Sequence, residues 1–268
     1  MAQNGPKQPR GSGLVPAERR RQIARLLQES GSVTVNMLEE EFGVSPMTAR
    51  RDLSALEKQG KAARTHGGAV LPGFSRHEDS FHLRLERDVE AKHRLARAAV
   101  ELLDHDETIF VDSSSTSYYA ARAALGAEMR LTLLTNLVPL MNLFATVESP
   151  NVDLIGIGGS LRKLTLSFVG PRAVDSVRSH FADRCILSIK GVTPDGYLTD
   201  PDSLEAEVKR EMIRHSDKPM LLIEGGKLDQ KGLNVVTHVS EVSRVLVASG
   251  EDERVRSLSE YGCDVQRV

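Results

Sequence analysis

Tryptophan is absent from this chain, and Phe and Tyr bring the aromatic share to only 4%. The core must therefore be aliphatic, and the aromatic platforms on which single-stranded nucleic acids stack are not available. Cysteine occurs twice, at Cys185 and Cys263, with no CxxC and no neighbouring histidine cluster. That excludes a disulfide framework and a zinc site of the usual spacing, and no metal or other cofactor is expected. His82, His93 and His105 have no metal-ligand spacing either and read as surface residues, while Cys185, in an apolar run, reads as a small buried hydrophobe. No apolar run reaches the length of a membrane span, and the polar start MAQNGPKQPRGSG has no apolar segment of a signal peptide. The expectation is a disordered tail over 1–16, no membrane partner and a cytoplasmic location.

What is present is an ordinary globular composition, 40% hydrophobic and 27% charged over 268 residues. The net charge of −2 conceals an asymmetry. Residues 1–70 carry 11 Lys and Arg against 7 Asp and Glu; the remainder carries 24 against 30. A basic head on an acidic body fits a nucleic-acid-binding module joined to a domain with another task.

In the head, Ile23, Leu26 and Leu27 recur at helical spacing. Thr34 is placed to cap a short helix, VNMLEEEF, and Gly43 supplies a tight turn. Ser45 can cap a third helix, with Pro46 at its first position and Leu53 and Leu56 facing inward. Gly60 ends it, and KAARTHGGAV reads as a short hairpin. Two helices joined by a tight turn, the second bearing Arg50 and Arg51, have helix-turn-helix spacing, and the hairpin would be a wing. In that motif the N-terminal residues of the second helix lie nearest the bases. Ser45, Met47, Thr48, Arg50, Arg51, Arg64 and His66 are thus the candidate DNA contacts, with Met47, Thr48 and Arg51 assigned to bases and Arg50 to the backbone. Alone, the Arg pair would be read as a solvated face; the cap, turn and Gly-Gly hairpin around it point to a groove. The run from Glu18 to Val70, with ERRRQI, G-x-V-x-V and EEEFGVSPMTARRDLSALEKQGKAARTHGGAV, resembles the N-terminal signature of the DeoR family of bacterial transcription regulators. Ala63 stands where many members have a larger apolar residue.

PGFSRHEDS reads as a linker over 72–80 between a head at 17–71 and a body at 81–268. A long helical pattern runs from Phe81 to Leu103; Arg84 and Lys92 on it either transmit the state of the body or sit at a subunit contact, or, as the reading adopted, form a solvated face with Asp88 and Lys92 at i,i+4 spacing. Beyond it, short apolar runs such as TIFVD, LTLLTN, VDLIGIGG, CILSIKGV and PMLLIEGG alternate with helical stretches. This predicts an α/β fold with a parallel sheet covered by helices. VDSSST, at a strand-to-helix turn, has the hydroxyls and helix N-terminus to cradle a phosphate, or is simply a polar capping loop. Other polar, Gly-rich strand ends converge on the same side of such a sheet, where ligands bind.

The set DSSST, LTN, GIGG, SFVG, GYLTD, EAEVKREMI and GGK resembles the sensor domain of the same family, which is similar to ribose-5-phosphate isomerase and the CoA-transferase-like fold, a Rossmann-like α/β architecture. The resemblance implies that Asp112, Ser113, Ser114, Ser115, Thr116, Thr135, Asn136, Gly158 and Gly159 hold a phosphorylated sugar or related metabolite. It places Asp200, Glu205 and Lys209 on the family's acid-and-Lys stretch and Lys227 on its Lys after a strand. Lys163 is either a phosphate contact or a solvated charge, and Lys190 either meets an anionic ligand or pairs with Asp200 or Asp202. Lys190 and Glu224 depart from the family's pattern. The function so implied is a repressor of carbohydrate-metabolism genes, not an enzyme. It would bind a double-stranded DNA operator as a homo-oligomer, a dimer or tetramer, and respond to a phosphorylated sugar. The alternative is a sugar-phosphate isomerase-like enzyme with an appended DNA-binding head, since isomerisation uses the same residue types.

Overall fold

The computed structural model describes residues 14–268 apart from 31, 66, 71–77, 229 and 251. Most of the expected tail and linker, and the wing residue His66, lie outside the described residues. The chain divides into two compact units, Met1–Glu86 and Arg87–Val268.

The first unit begins with α1 (Pro16–Ser30), followed by β1 (Ser32–Thr34), α2 (Val35–Phe42), α3 (Pro46–Lys58), β2 (Ala63–Arg64), β3 (Gly68–Val70) and α4 (Phe81–Glu86). The local chemistry sets the helix ends. Thr34 Oγ1 accepts from Met37 N at 2.9 Å, capping α2. Gly43, at φ 63°, closes α2 in the left-handed conformation and donates to Glu39 O. Ser45 Oγ accepts from Thr48 N at 3.3 Å, and Pro46 opens α3 at no cost in hydrogen bonds. Ile23, Leu27, Leu38, Phe42, Leu53 and Leu56 form the fully buried core of the unit. The three short strands pair in the order β1-β3-β2, with Thr34 opposite Gly68. A Cβ at Gly68 would stand 2.0 Å from Val33 O, so glycine is required there.

Periodicity merges α4 with the next helix; the structure separates them. Asp88, at φ 50°, leaves the helical region, and α5 (Val89–Val100) starts afresh after it. A left-handed residue breaks the i to i−4 ladder without disturbing the apolar spacing on either side, so the pattern alone could not reveal it. α4 instead packs against β1 of the first unit, and Glu86 accepts from Thr34 Oγ1 at 2.9 Å.

The second unit continues through β4 (Glu107–Val111), α6 (Ser115–Leu125), β5 (Leu131–Thr135), α7 (Val138–Phe144), β6 (Val152–Gly156), β7 (Ser160–Arg162), β8 (Ser167–Val169), α8 (Pro171–Arg178), β9 (Ala182–Leu187), β10 (Gly191–Val192), β11 (Tyr197–Asp200), α9 (Ser203–Arg214), β12 (Ser216–Glu224), β13 (Asn234–His238), β14 (Arg244–Ala248), α10 (Asp252–Ser259) and β15 (Asp264–Arg267). Seven of these strands make a parallel sheet in the order β15-β14-β12-β9-β4-β5-β6. The C-terminal parts of its central strands, IFV of β4, CIL of β9 and VLVA of β14, are buried and apolar, as strands covered on both faces must be. Phe110, Leu134, Leu187, Leu221, Ile223 and Val245 lie in that core, with Cys185 fully buried among them. The register pairs Val111 with Thr135 and with Ile186, and Leu187 with Leu221. The polar segments after β4, β5, β9 and β12 therefore emerge along one edge. Two features were not legible as alternation because their strands are too short: the β7–β8 hairpin and the antiparallel sheet β10-β11-β13.

Candidate DNA-binding face and effector site

The buried stripe of α3 is Ala49, Asp52, Leu53 and Leu56. Met47, Arg51, Ser54 and Lys58 recur at i, i+4, i+7 and i+11 and form the stripe that points away from it. Met47 is 75% exposed, a large apolar side chain left in water at the tip of the helix. Arg50 and Arg51 are both exposed but flank different sides of the helix. Arg50 lies on the wing side, where its carbonyl accepts from Arg64 Nη1 at 2.9 Å. The same guanidinium nitrogen donates to Ser54 Oγ at 3.0 Å, so Arg64 is tied to α3 and fastens the wing to it. Thr48 is half-buried, and its hydroxyl shares a 3.0 Å bond with Ser45 Oγ.

Behind the exposed stripe is a feature that periodicity treats as polar surface. Asp52 is 1% exposed and receives Arg19 Nε at 2.6 Å and Arg20 Nη1 at 3.3 Å. This ion pair fixes α3 against α1. Only the tertiary arrangement distinguishes these two arginines of ERRRQI from Arg21, which is exposed.

In the second unit, Asp112 follows β4 and is 1% exposed. Its Oδ1 accepts from Ser114 N at 3.1 Å and Ser114 Oγ at 2.6 Å, while Oδ2 faces Lys209 Nζ at 3.1 Å. Lys209, on α9, also meets Asp200 Oδ2 at 2.5 Å and donates to Ser188 O at 2.7 Å. Burial pushes the Lys209 ammonium toward deprotonation, but Asp200 and Asp112 outweigh it and hold its pKa above the ordinary lysine value. Burial raises the Asp200 carboxyl, with Lys209 opposing the shift. Glu205, one helical turn before Lys209, accepts from Ser113 Oγ at 2.6 Å and from Ser167 Oγ at 2.5 Å. It thereby joins the loop after β4 to the β7–β8 hairpin. Arg162 on that hairpin pairs with Asp202 at 3.3 Å.

A second cluster adjoins the first. Glu224, at the end of β12, accepts from Thr116 Oγ1 at 3.0 Å and pairs with Lys227 Nζ at 2.6 Å. Lys227 also donates to Ser188 Oγ at 3.1 Å, which links the two clusters. Burial pushes the Glu224 carboxyl up, but Lys227, Lys92 and the Thr116 donor hold it below the ordinary carboxylate value. Thr135 Oγ1 donates to Val111 O at 2.8 Å, stitching adjacent strand ends. Asn136 Nδ2 donates to Phe168 O at 2.8 Å, which leaves its buried Oδ1 without a hydrogen-bond partner among the described residues.

Both halves match known families. The description "DeoR-like helix-turn-helix domain" covers residues 19–73, and "DeoR C terminal sensor domain" covers residues 87–249. The chain belongs to the DeoR family. It is a DNA-binding transcription regulator. Among its relatives is an uncharacterized HTH-type transcriptional regulator YulB of Bacillus subtilis, 31% identical, covering 89% of this chain and 91% of the relative. The L-fucose operon activator of Escherichia coli is 30% identical over 89% and 96% of the two chains. The glycerol-3-phosphate regulon repressor of Escherichia coli is 32% identical over 85% and 88%. Ribose 5-phosphate isomerase A from Methanocaldococcus jannaschii overlaps 53% of this chain and 55% of its own, at 12% identity and a TM-score of 0.39.

Within this DeoR-family sensor, Asp112, Ser113, Ser114, Thr116, Asp200, Glu205, Lys209 and Lys227 come together through direct bonds. Thr135 and Asn136 lie on the neighbouring strand end. Ser115 is buried at the start of α6. Gly159 follows β6, and a Cβ there would stand 2.8 Å from Val169 O; Gly158 has open space beside it. Lys163 is exposed and Lys190 half-buried. The two carboxylates weighed as partners for Lys190 are engaged elsewhere, Asp200 by Lys209 and Asp202 by Arg162. The reading of Lys92 as a solvated charge is corrected: it is 3% exposed on the inner face of α5 and donates to Arg87 O. Likewise His82 is half-buried, and burial lowers its pKa. Arg162, Ser167 and Ser188 were missed because their importance lies in contacts between distant segments. A separate cavity of about 300 Å³, lined by Leu102, Arg184, Lys218, Met220, Ser243 and Arg244, sits at the opposite edge of the sheet. Two of its cations are already paired, Arg184 with Glu107 and Arg244 with Asp264.

Proposed function

We propose that this regulator is a repressor of carbohydrate-metabolism genes whose operator affinity is set by a phosphorylated sugar or related metabolite held beyond the C-terminal strand ends of the second unit. The observation that carries the reading is the interlocked set of buried charges on Asp112, Asp200, Glu205, Lys209 and Glu224 at those strand ends, with the half-buried Lys227 beside them. A purely structural sheet edge has no need of so many desolvated charges, which cost stability unless paired. The orphaned Asn136 Oδ1 is an acceptor that a ligand hydroxyl would satisfy. The hydroxyls of Ser113, Ser114 and Thr116 are spent on protein partners, so a phosphate there would use the backbone N–H groups at the start of α6 and displace part of that network. Relatives named for glycerol-3-phosphate and for the L-fucose operon support the ligand class.

On the head, Met47, Thr48 and Arg51 read bases and Arg50 grips the backbone. Arg64 acts by holding the wing on α3. The protein acts in the cytoplasm as a dimer or tetramer, with the DNA-binding head over 17–71, a linker over 72–80 and the sensor over 81–268. Two measurements test this. In a gel shift at fixed salt on an operator selected from random-sequence DNA, Arg51→Ala should lose roughly 10- to 100-fold in specific affinity. Unchanged affinity would remove Arg51 from the interface. Pentose, hexose and triose phosphates should raise the melting temperature of the full chain without being converted; turnover of any of them would replace the sensor by an isomerase.

A further inference from the structure

Helix α3 has two flanks, and only one of them is tied to the wing. On the wing flank stand Arg50, whose carbonyl accepts from Arg64 Nη1 at 2.9 Å, and Glu57, whose Oε1 accepts from Arg64 N at 3.2 Å. At about 100° per residue, Arg51 lies about 120° round the helix from Glu57 and about 100° from Asp52. The outward stripe through Arg51 therefore runs between the wing flank and a second flank that carries Asp52. There α1 brings up two arginines. Arg19 is buried; its Nε meets Asp52 Oδ2 at 2.6 Å and its Nη1 donates to Leu14 O at 3.1 Å. Arg20 Nη1 reaches the other carboxylate oxygen at 3.3 Å, and its side chain is 30% exposed against 7% for Arg19. The remaining guanidinium donors of Arg20 meet no described residue. Glu18, the acid in the first turn of α1, pairs with Arg21 rather than Arg20. A desolvated guanidinium needs a counter-charge, and Asp52 supplies it to Arg19. One carboxylate between two guanidinium groups leaves one positive charge over, at the member open to solvent.

We propose that Arg20 grips a phosphate of the DNA backbone on the flank of α3 away from the wing, with Asp52 as the positioning residue that aims it. The inference rests on the reading of α3 as the helix that enters the groove. A helix lying in a major groove has a sugar-phosphate strand along each side. The wing serves one of them, and the Arg19–Asp52–Arg20 cluster serves the other. Arg20 keeps one donor on Asp52 and offers the rest of its fork to a phosphate, the partner that a guanidinium group matches best. Arg19, enclosed, holds Asp52 in place and does not reach the DNA. A contact of this kind adds affinity for any duplex and no preference for sequence.

Binding of the full-length protein to an operator selected from random sequence and to an unrelated duplex, each over a series of salt concentrations, tests the assignment. Arg20→Gln should flatten the dependence of log K on log salt by about 0.9 for each head bound. It should weaken binding to both duplexes by the same factor. Arg20→Lys, which keeps the charge, should keep the wild-type slope. An unchanged slope for Arg20→Gln overturns the proposal, as does a loss confined to the operator. A residue that only stiffened the head would lower the melting temperature and leave the slope alone. Arg51→Ala, measured alongside, should weaken the operator more than the unrelated duplex. If it does not, the placement of α3 in the groove fails, while the Arg20 slope is still read on its own. The wild-type protein decides the matter should Arg20→Gln not fold: the unrelated duplex should suppress labelling of Arg20 by phenylglyoxal, and undiminished labelling overturns the proposal.

Discussion

Single charged residues carry much of the organisation of this regulator, and burial decides which. Glu224 shows the consequence for pH. Its carboxyl lies below the ordinary value of 4.5, so the stability it contributes is present above that value and is lost as the pH falls through the lower folded-state value. Glu224→Gln should therefore lower stability by about 1–3 kcal/mol near neutral pH, the size of a buried charge-assisted bond. Urea titrations should show this deficit shrinking as the pH is taken below 4.5. A deficit that persists unchanged in acid would mean that the carboxylate charge is not what stabilises the pair. Asp52 makes the same point in the head: its position on α3 looks like any polar helix residue, and its partners stand 33 and 32 residues away.

At the scale of elements, α3 is the clearest case of local chemistry setting function. Ser45 caps it, Pro46 starts it and Gly43 turns the chain into it, and these together aim Met47 and Arg51 outward. Ser45→Ala removes the cap and should cost about 1 kcal/mol in stability. It should also weaken operator binding, because the fraying first turn is the one that presents Met47. Thermal denaturation and a gel shift on the same preparation check both; a loss of stability with no loss of affinity would separate the cap from recognition. The helix ends of this unit could be read directly because caps, prolines and left-handed glycines act over three or four residues. The break between α4 and α5 could not, since Asp88 adopts a conformation that its own residue type does not call for.

For the whole molecule, the dimer proposed above would impose geometry on the operator through its two-fold pair of heads. Half-sites should repeat at roughly 34 Å, or a multiple of it, along the DNA. Operators selected from random sequence, with footprinting to locate the protected bases, check the spacing. A single isolated half-site bound at full affinity would argue against the oligomeric mode of binding proposed here. The two compact units meet along the chain at Glu86 and Arg87, and the matched family regions, 19–73 and 87–249, flank that junction.

The sequence by itself determined the two-part organisation, the helix-turn-helix with its caps and turn, the alternation that yields a parallel sheet, and the family. All of these rest on periodicity, short-range capping chemistry and contiguous motifs, which are local in the chain. Only the tertiary structure decided that Asp52 is a buried clamp, that Lys92 is enclosed rather than solvated, and that Glu205 ties Ser113 to Ser167. It also decided that Lys209, rather than Lys190, meets Asp200. Those assignments depend on which distant segments share a low-dielectric space. Charge pairing there is settled by packing geometry, and spacing along the chain carries no record of it.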